Sequence, residues 1–184
     1  MARIPFPDPA RQDAETLDRL TRLGSLNVTR MMSHSPRLMN AYARLGSHLL
    51  LKGSLDPVLR EAVILRVGQL CGSDYEWHQH VSVARAIGMP EAMLEAIAAQ
   101  RFDMLPSEIA LAVRIAEEIH RDHNISEESF AAARALFSDE QFVELTLLPG
   151  FYIMTAGYLR ALDIEVEETG PLGGSFVQGR RADR

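Results

Sequence analysis

Apolar positions along this chain recur at spacings of three and four, the period of a helix face laid on a core. No stretch alternates long enough to read as a useful strand. The segment "PSEIALAVRIAEEIHRDH", residues 106–123, shows the pattern most plainly, with Ile109, Ala112, Val113, Ala116 and Ile119 on one stripe. Leu38, Tyr42, Leu45 and Leu49 mark a second stripe along a helix near 36–51. "SLDPVLREAVILRVGQLCG" departs from the pattern. Val58, Ala62, Leu65 and Gln69, together with Ile64, Val67 and Leu70, cover much of its circumference. A helix apolar on most sides is expected to be buried on most sides.

Punctuation residues set the remaining elements. A first helix is expected from about Ala10 to Leu23, and Asn27 is a candidate N-cap. Pro36 opens the helix that Gly53-Ser54 ends. Asp56 caps the buried helix, Pro57 takes its first position and Gly72 closes it. "SDYEWHQHVSVARAIG" follows and ends at Gly88; Pro90 then opens a short helix to about Ala99. Ser126 caps "EESFAAARALF", and Ser138 caps "DEQFVELTLLPGFYIMTAGYLRALD", which Pro149-Gly150 is expected to interrupt. Prolines at 5, 7 and 9 make residues 1–9 an extended arm, over the surface or over a neighbouring subunit. Residues 169–184, "TGPLGGSFVQGRRADR", read as a flexible tail or subunit-crossing arm. The expectation is a single all-α domain over 1–168, with no repeat of solenoid period.

Composition narrows the function classes. Of 184 residues, 47% are apolar and 24% charged, ordinary for one soluble globular domain. A net charge of −6 without a basic stripe speaks against a general nucleic-acid binder. No Lys/Arg-rich amphipathic stretch suits an anionic membrane, and no apolar run approaches the roughly 20 residues that span a bilayer. Prolines and charges stand where a signal peptide would carry its apolar core. These features predict a cytoplasmic protein. Cys71 is the only cysteine, so the chain has no internal disulfide, CxxC redox pair or thiolate zinc cage.

The candidate chemistry lies in "SDYEWHQH", residues 73–80, and the helix before it. The two helices flanking Cys71-Gly72 form a tight hairpin, and residues similarly distant from such a turn face each other. Glu61 and His80 are nearly matched, with axial levels differing by roughly 4–5 Å at 1.5 Å per residue. A bridging water or a tilted crossing closes that gap. Glu76 and His80 are four apart and share a face. Two carboxylates and an imidazole therefore converge, the equipment of proton transfer. Glu61 stands out because it sits in an otherwise apolar helix, where a buried charge needs a partner. Plainer roles stand beside these. Ser73 and Glu76 fit a capping box, Asp74 favours the positive helix end, and Tyr75 and Trp77 fit core or interface packing. His78 points about 160° from His80. A metal site is not expected, because His78-x-His80 splays its ligands on a helix. Glu117-x-x-His120 lacks the second half of a di-iron motif. There is no GxGxxG, Walker loop or GxSxG, and no cofactor is expected.

These residues resemble a known family. "LREAVILRVGQLCGSDYEWHQHVSVARAIGMPEAMLEAI" is similar to the core of the carboxymuconolactone decarboxylase-like family, which includes the alkylhydroperoxidase D-like proteins. "FVELTLLPGFYIMTAGYLRALDIEVE" resembles the closing helix of its longer members. The resemblance spans roughly residues 50–167. It implies an all-α fold with a central αα-hairpin carrying the site, assembled as a homo-oligomer, commonly a trimer or hexamer. The peroxidase branch uses Glu-x11-Cys-x-x-Cys-x3-His. On this chain Glu61 takes the glutamate and His80 the histidine, while Ser73 and Glu76 stand at the cysteine positions. The acid and imidazole are kept and both redox thiols are gone. The resemblance thus implies cofactor-independent, decarboxylase- or lyase-type chemistry on a small organic acid or lactone. In this reading Glu61 is the principal proton-transfer group, His80 its partner and Glu76 a second acid–base residue. Cys71, Tyr75 and Trp77 line or support the pocket, and Arg60 or Arg66 meets a substrate carboxylate. Two alternatives remain: peroxide reduction through Cys71 and an external thiol, and a non-catalytic oligomer in which Glu61 and His80 form a structural pair.

Overall fold

The structure, a computed structural model, describes residues 2–167. Helices account for every regular element among them: α1 (Ala14–Arg22), α2 (Asn27–Met32), α3 (Pro36–Ser47), α4 (Pro57–Cys71), α5 (Asp74–Ala86), α6 (Glu91–Ala98), α7 (Ser107–Asp122), α8 (Glu127–Leu136) and α9 (Asp139–Ala161). The expected all-α fold is present. The expected tail at 169–184 lies outside the described residues.

α4 occupies the centre, packed on α5, α7 and α9. Its run from Leu59 to Leu65 is buried residue after residue, as a helix without a polar face must be. The Asp56 carboxylate accepts from the amides of Val58 and Leu59, Pro57 fills the first turn, and Gly72 ends the helix at φ 59°. The left-handed conformation at Gly72 is what turns the chain at once into α5.

Four expectations need correction. In α3 the buried face is Met39, Ala43 and Gly46, while Leu38 and Leu45 stand 59% and 47% exposed. Gly46 lets α3 approach α9; a Cβ on it would come within 3.1 Å of the Phe151 ring. Close approach decided which face turned inward, and a count of large apolar residues does not register it. α9 is not interrupted at Pro149 and runs unbroken for 23 residues. The lost N–H is tolerated because α9 is clamped against α4 and α7, with Leu145, Leu148 and Phe151 buried around the proline. The first helix starts late: Pro9–Arg11 is a separate 3-10 turn, and Asp13 caps α1 through the Thr16 amide. Finally, α9 is long and apolar enough by composition to cross a membrane, although 44% of its most apolar window is buried inside the protein.

Residues 2–8 lie along their own chain. The Arg3 amide donates to the Leu162 carbonyl at 2.9 Å, its guanidinium pairs with Asp163, and Arg30 sits over the Phe6 ring.

Candidate active site

The hairpin of α4 and α5 delivers the sequence trio to one place. Glu61 projects from α4 and is wholly enclosed. Ser73 caps α5 by accepting from the Glu76 amide, but the reciprocal half of a capping box is not formed. The Glu76 side chain turns instead along its own helix to His80, one turn on. His80 Nδ1 lies 2.7 Å from Glu61 Oε2, and its Nε2 lies 3.4 Å from Glu76 Oε2. The axial offset expected between Glu61 and His80 is thus bridged by direct contact. On the far side Arg60 Nε donates to Glu61 Oε1 at 3.2 Å. The result is a line of four groups, Arg60–Glu61–His80–Glu76, in which the imidazole has a carboxylate at each nitrogen. The carboxylates sit at opposite edges of the ring and do not face one common point, and among the described residues no group is placed to hold a metal ion.

Burial and mutual charge set the protonation of this line. Burial, reinforced by the Glu61 charge and opposed by His80, raises the Glu76 carboxyl to about 7. Burial alone would push the His80 imidazole down. The Glu61 charge, the Glu61 hydrogen bond and the Glu76 charge outweigh it and hold the imidazole above its ordinary value. A buried carboxyl that titrates near neutrality and an imidazole held above its ordinary value therefore lie side by side. Tyr152 meets the His80 ring edge-on at 5.0 Å, and burial together with Glu61 and Glu76 raises its phenol well above the usual value. Tyr42 stacks on Phe151 and shares a hydrogen bond with Thr155; burial and the Glu76 charge raise its phenol too. Neither tyrosine was foreseen. They come from α3 and α9, and nothing in sequence spacing ties those helices to the hairpin.

Access is uneven along the line. The Glu61 side chain has no exposed surface, whereas His80 and Glu76 keep 4% and 6%. One cleft lies beside the N-terminal arm and another between α1 and α3; neither of these is lined by Glu61, Glu76 or His80. Among the expected pocket residues, Cys71 and Trp77 are half-buried against the main core, and burial, with Glu76 adding to it, raises the Cys71 thiol. Tyr75 is engaged elsewhere: its hydroxyl accepts from the Val28 amide at 3.3 Å and donates to Glu167. His78 is exposed. Arg66 pairs with Glu117 at 2.7 Å and covers the Phe102 ring. Arg60 alone of the two arginines reaches the site, and its Nη2 is buried without a hydrogen-bond partner among the described residues.

The Carboxymuconolactone decarboxylase family model matches residues 36–135, from the start of α3 almost to the end of α8, and takes in the whole hairpin. The chain belongs to that family. No curated protein matches this family member significantly. Solved structures share its fold. An uncharacterized peroxidase-related protein from Ralstonia eutropha with an alkylhydroperoxidase AhpD core superposes with a TM-score of 0.81 at 18% identity, over 91% of this chain and 93% of that one. An uncharacterized peroxidase-related protein from Silicibacter sp. gives 0.79 at 20% identity, over 90% and 91%. The debrominase Bmp8, in complex with 2,3,4-tribromopyrrole, gives 0.69 at 16% identity, over 91% and 95%. At these identities the likeness is one of fold.

Proposed function

We propose that this carboxymuconolactone decarboxylase-family protein performs cofactor-independent acid–base chemistry, a decarboxylation or related proton transfer on a small organic acid or lactone. Glu76 carries the reading. It is a buried carboxyl held near 7, facing an imidazole that a second carboxylate grips from the other side. A group with that value is half protonated at neutral pH and suits both halves of a proton-transfer cycle.

The roles divide differently from the sequence expectation. Glu61, fully enclosed and tied to Arg60, positions His80. Glu76, which retains surface, exchanges the proton. In a decarboxylation the bond from carbon to the substrate carboxylate breaks and its electron pair passes into the conjugated lactone carbonyl. Carbon dioxide leaves and a dienolate remains. Protonated Glu76 then delivers its proton to carbon, and the resulting carboxylate is stabilised by the adjacent imidazolium until it regains a proton from water. One proton is consumed overall, matching the loss of one carboxylate. Cys71 at the end of α4 and Trp77 in the first turn of α5 are assigned to the border of the substrate in this reading.

Peroxide reduction is less well supported. The one thiol is shifted up by burial, away from the thiolate that such chemistry needs. The enclosure of Glu61 favours the non-catalytic reading, and a single experiment separates all three. Carbon dioxide release from a panel of carboxylated lactones, and peroxide consumption with dithiothreitol, are measured for the parent, Glu76→Gln and Cys71→Ser. Lactone turnover falling by about 10²-fold in Glu76→Gln and unchanged in Cys71→Ser supports the proposal. Peroxide turnover lost in Cys71→Ser supports the thiol route, and inactivity of the parent in both assays supports a structural pair.

We also propose a homo-oligomer formed through the outer face of α9. Val143, Leu147 and Met154 are 57%, 58% and 55% exposed and follow one helical stripe. Gly150 and Gly157, on the same stripe, leave open backbone between them. Large side chains alternating with bare backbone are self-complementary, so a second copy fits this face.

A further inference from the structure

A cleft of about 490 Å³ separates α1 from α3, and its walls are charged out of keeping with the rest of the chain. Glu15, Asp18, Arg19 and Arg22 face it from α1; Arg37 and Arg44 face it from α3. The α1 set follows spacings of three, four and seven, and the two α3 arginines are seven apart, so each set lies on one face of its helix. Four arginines oppose two carboxylates here, in a protein whose net charge is −6. Only Arg22 is neutralised, by Asp18 four residues before it on its own helix. Among the described residues Arg19, Arg37 and Arg44 have no acidic partner, and the Nε of Arg19 is buried with no hydrogen-bond acceptor.

Like charges turned into one cleft repel, and a buried guanidinium N–H without an acceptor is unfavourable. Both disfavoured features disappear when an anion with several oxygens enters. The guanidinium fork makes paired hydrogen bonds to phosphate or carboxylate, and three forks from two helices address a ligand bearing more than one such group. We propose that the α1–α3 cleft is a binding site for a small polyanion carrying phosphate or carboxylate groups. It shares no residue with the Glu61–His80–Glu76 line and does not depend on the reaction assigned to it.

Isothermal titration of the full chain with pyrophosphate and, separately, with citrate tests the site. The comparison is with Arg37→Gln/Arg44→Gln, two exposed positions whose exchange leaves the core intact, and with Lys52→Gln/Arg101→Gln, which removes the same charge elsewhere. The expected result is saturable binding of at least one anion to the parent, at least tenfold weaker in Arg37→Gln/Arg44→Gln and unchanged in the control pair. The tighter of the two anions identifies phosphate or carboxylate as the preferred chemistry. Failure of both anions to bind, or equal weakening in the control pair, overturns the proposal. So does a change of assembly size on sedimentation of Arg37→Gln/Arg44→Gln without any anion binding to the parent, which would make these arginines subunit contacts. Sedimentation with anionic phosphatidylserine vesicles in place of pyrophosphate binding likewise overturns it.

Discussion

At the scale of single residues, the site is governed by one side chain choosing between two partners. Glu76 could have completed a capping box with Ser73; it abandons that bond for His80, and with it the solvent that would keep its carboxyl acidic. Its value of about 7 exceeds the ordinary 4.5, so the folded state holds a proton that the unfolded chain releases. The stabilisation is complete below the unfolded value and is lost as pH rises through about 7. His80, also raised, acts in the same sense, losing its contribution as pH climbs past its folded value. Urea unfolding of the parent should therefore weaken by roughly 3 kcal/mol between pH 5 and 8, and the Glu76→Gln variant should lose much of that slope. A slope identical in both would place the titrating group elsewhere. Glu61→Gln has a different consequence. It removes the charge that Arg60 and His80 share and leaves a single amide oxygen where two carboxylate oxygens served them, so a loss of roughly 3–5 kcal/mol at pH 6 is expected. Chemical denaturation measures it, and a change under about 1 kcal/mol would mean that the pair is solvated in solution.

At the scale of elements, helix ends and tight turns place the residues just described. α4 and α5 form a hairpin only because Gly72 adopts φ 59°. A Cβ there has room, with Arg160 at 3.8 Å the nearest neighbour, so Gly72→Ala is penalised by backbone conformation alone. The expected loss is about 1–2 kcal/mol, read from the thermal or urea midpoint. The elements also exchange caps through buried acids. Glu144 of α9 accepts from the amides of Ser54 and Leu55 ahead of α4. Glu118 of α7 accepts from the Ser126 amide and from the hydroxyls of Ser126 and Ser129 at the start of α8. Glu144 thereby ties α9 to the approach to α4, remote in sequence, and Glu118 fixes the turn between the consecutive helices α7 and α8.

At the scale of the whole molecule, one helix does double duty. α9 closes the core with Leu145, Leu148, Phe151 and Tyr152, and turns Val143, Leu147 and Met154 outward. In the proposed assembly, a charge on the outer stripe separates subunits without harming the core. Leu147→Arg is expected to sediment as a smaller species than the parent at equal concentration, with its helical circular dichroism unchanged. An unaltered sedimentation coefficient would show that the α9 face is not the seam. Exposed Leu38 and Leu45 belong to the same scale: their outward direction follows from how closely α3 sits on Phe151, a property of the assembled core.

Periodicity, caps and prolines by themselves determined the helical class, the buried character of α4, the turn at Gly72 and the meeting of Glu61 with His80. Each depends on neighbours within a turn or across a two-residue connection, where chain geometry leaves little choice. Tertiary structure decided the rest. It turned Met39, Ala43 and Gly46 inward over Leu38 and Leu45, with Gly46 leaving room for the Phe151 ring and Met39 packing on Leu20 and Met32. It carried α9 through Pro149 because flanking helices hold the backbone in place. It brought Tyr152 against the imidazole from a helix remote in sequence, with Tyr42 packed behind it on Phe151. It also left Glu61 fully enclosed and Glu76 in reach. The proposed division of roles between the two carboxylates rests on that difference, which arises from the surface that other helices happen to cover.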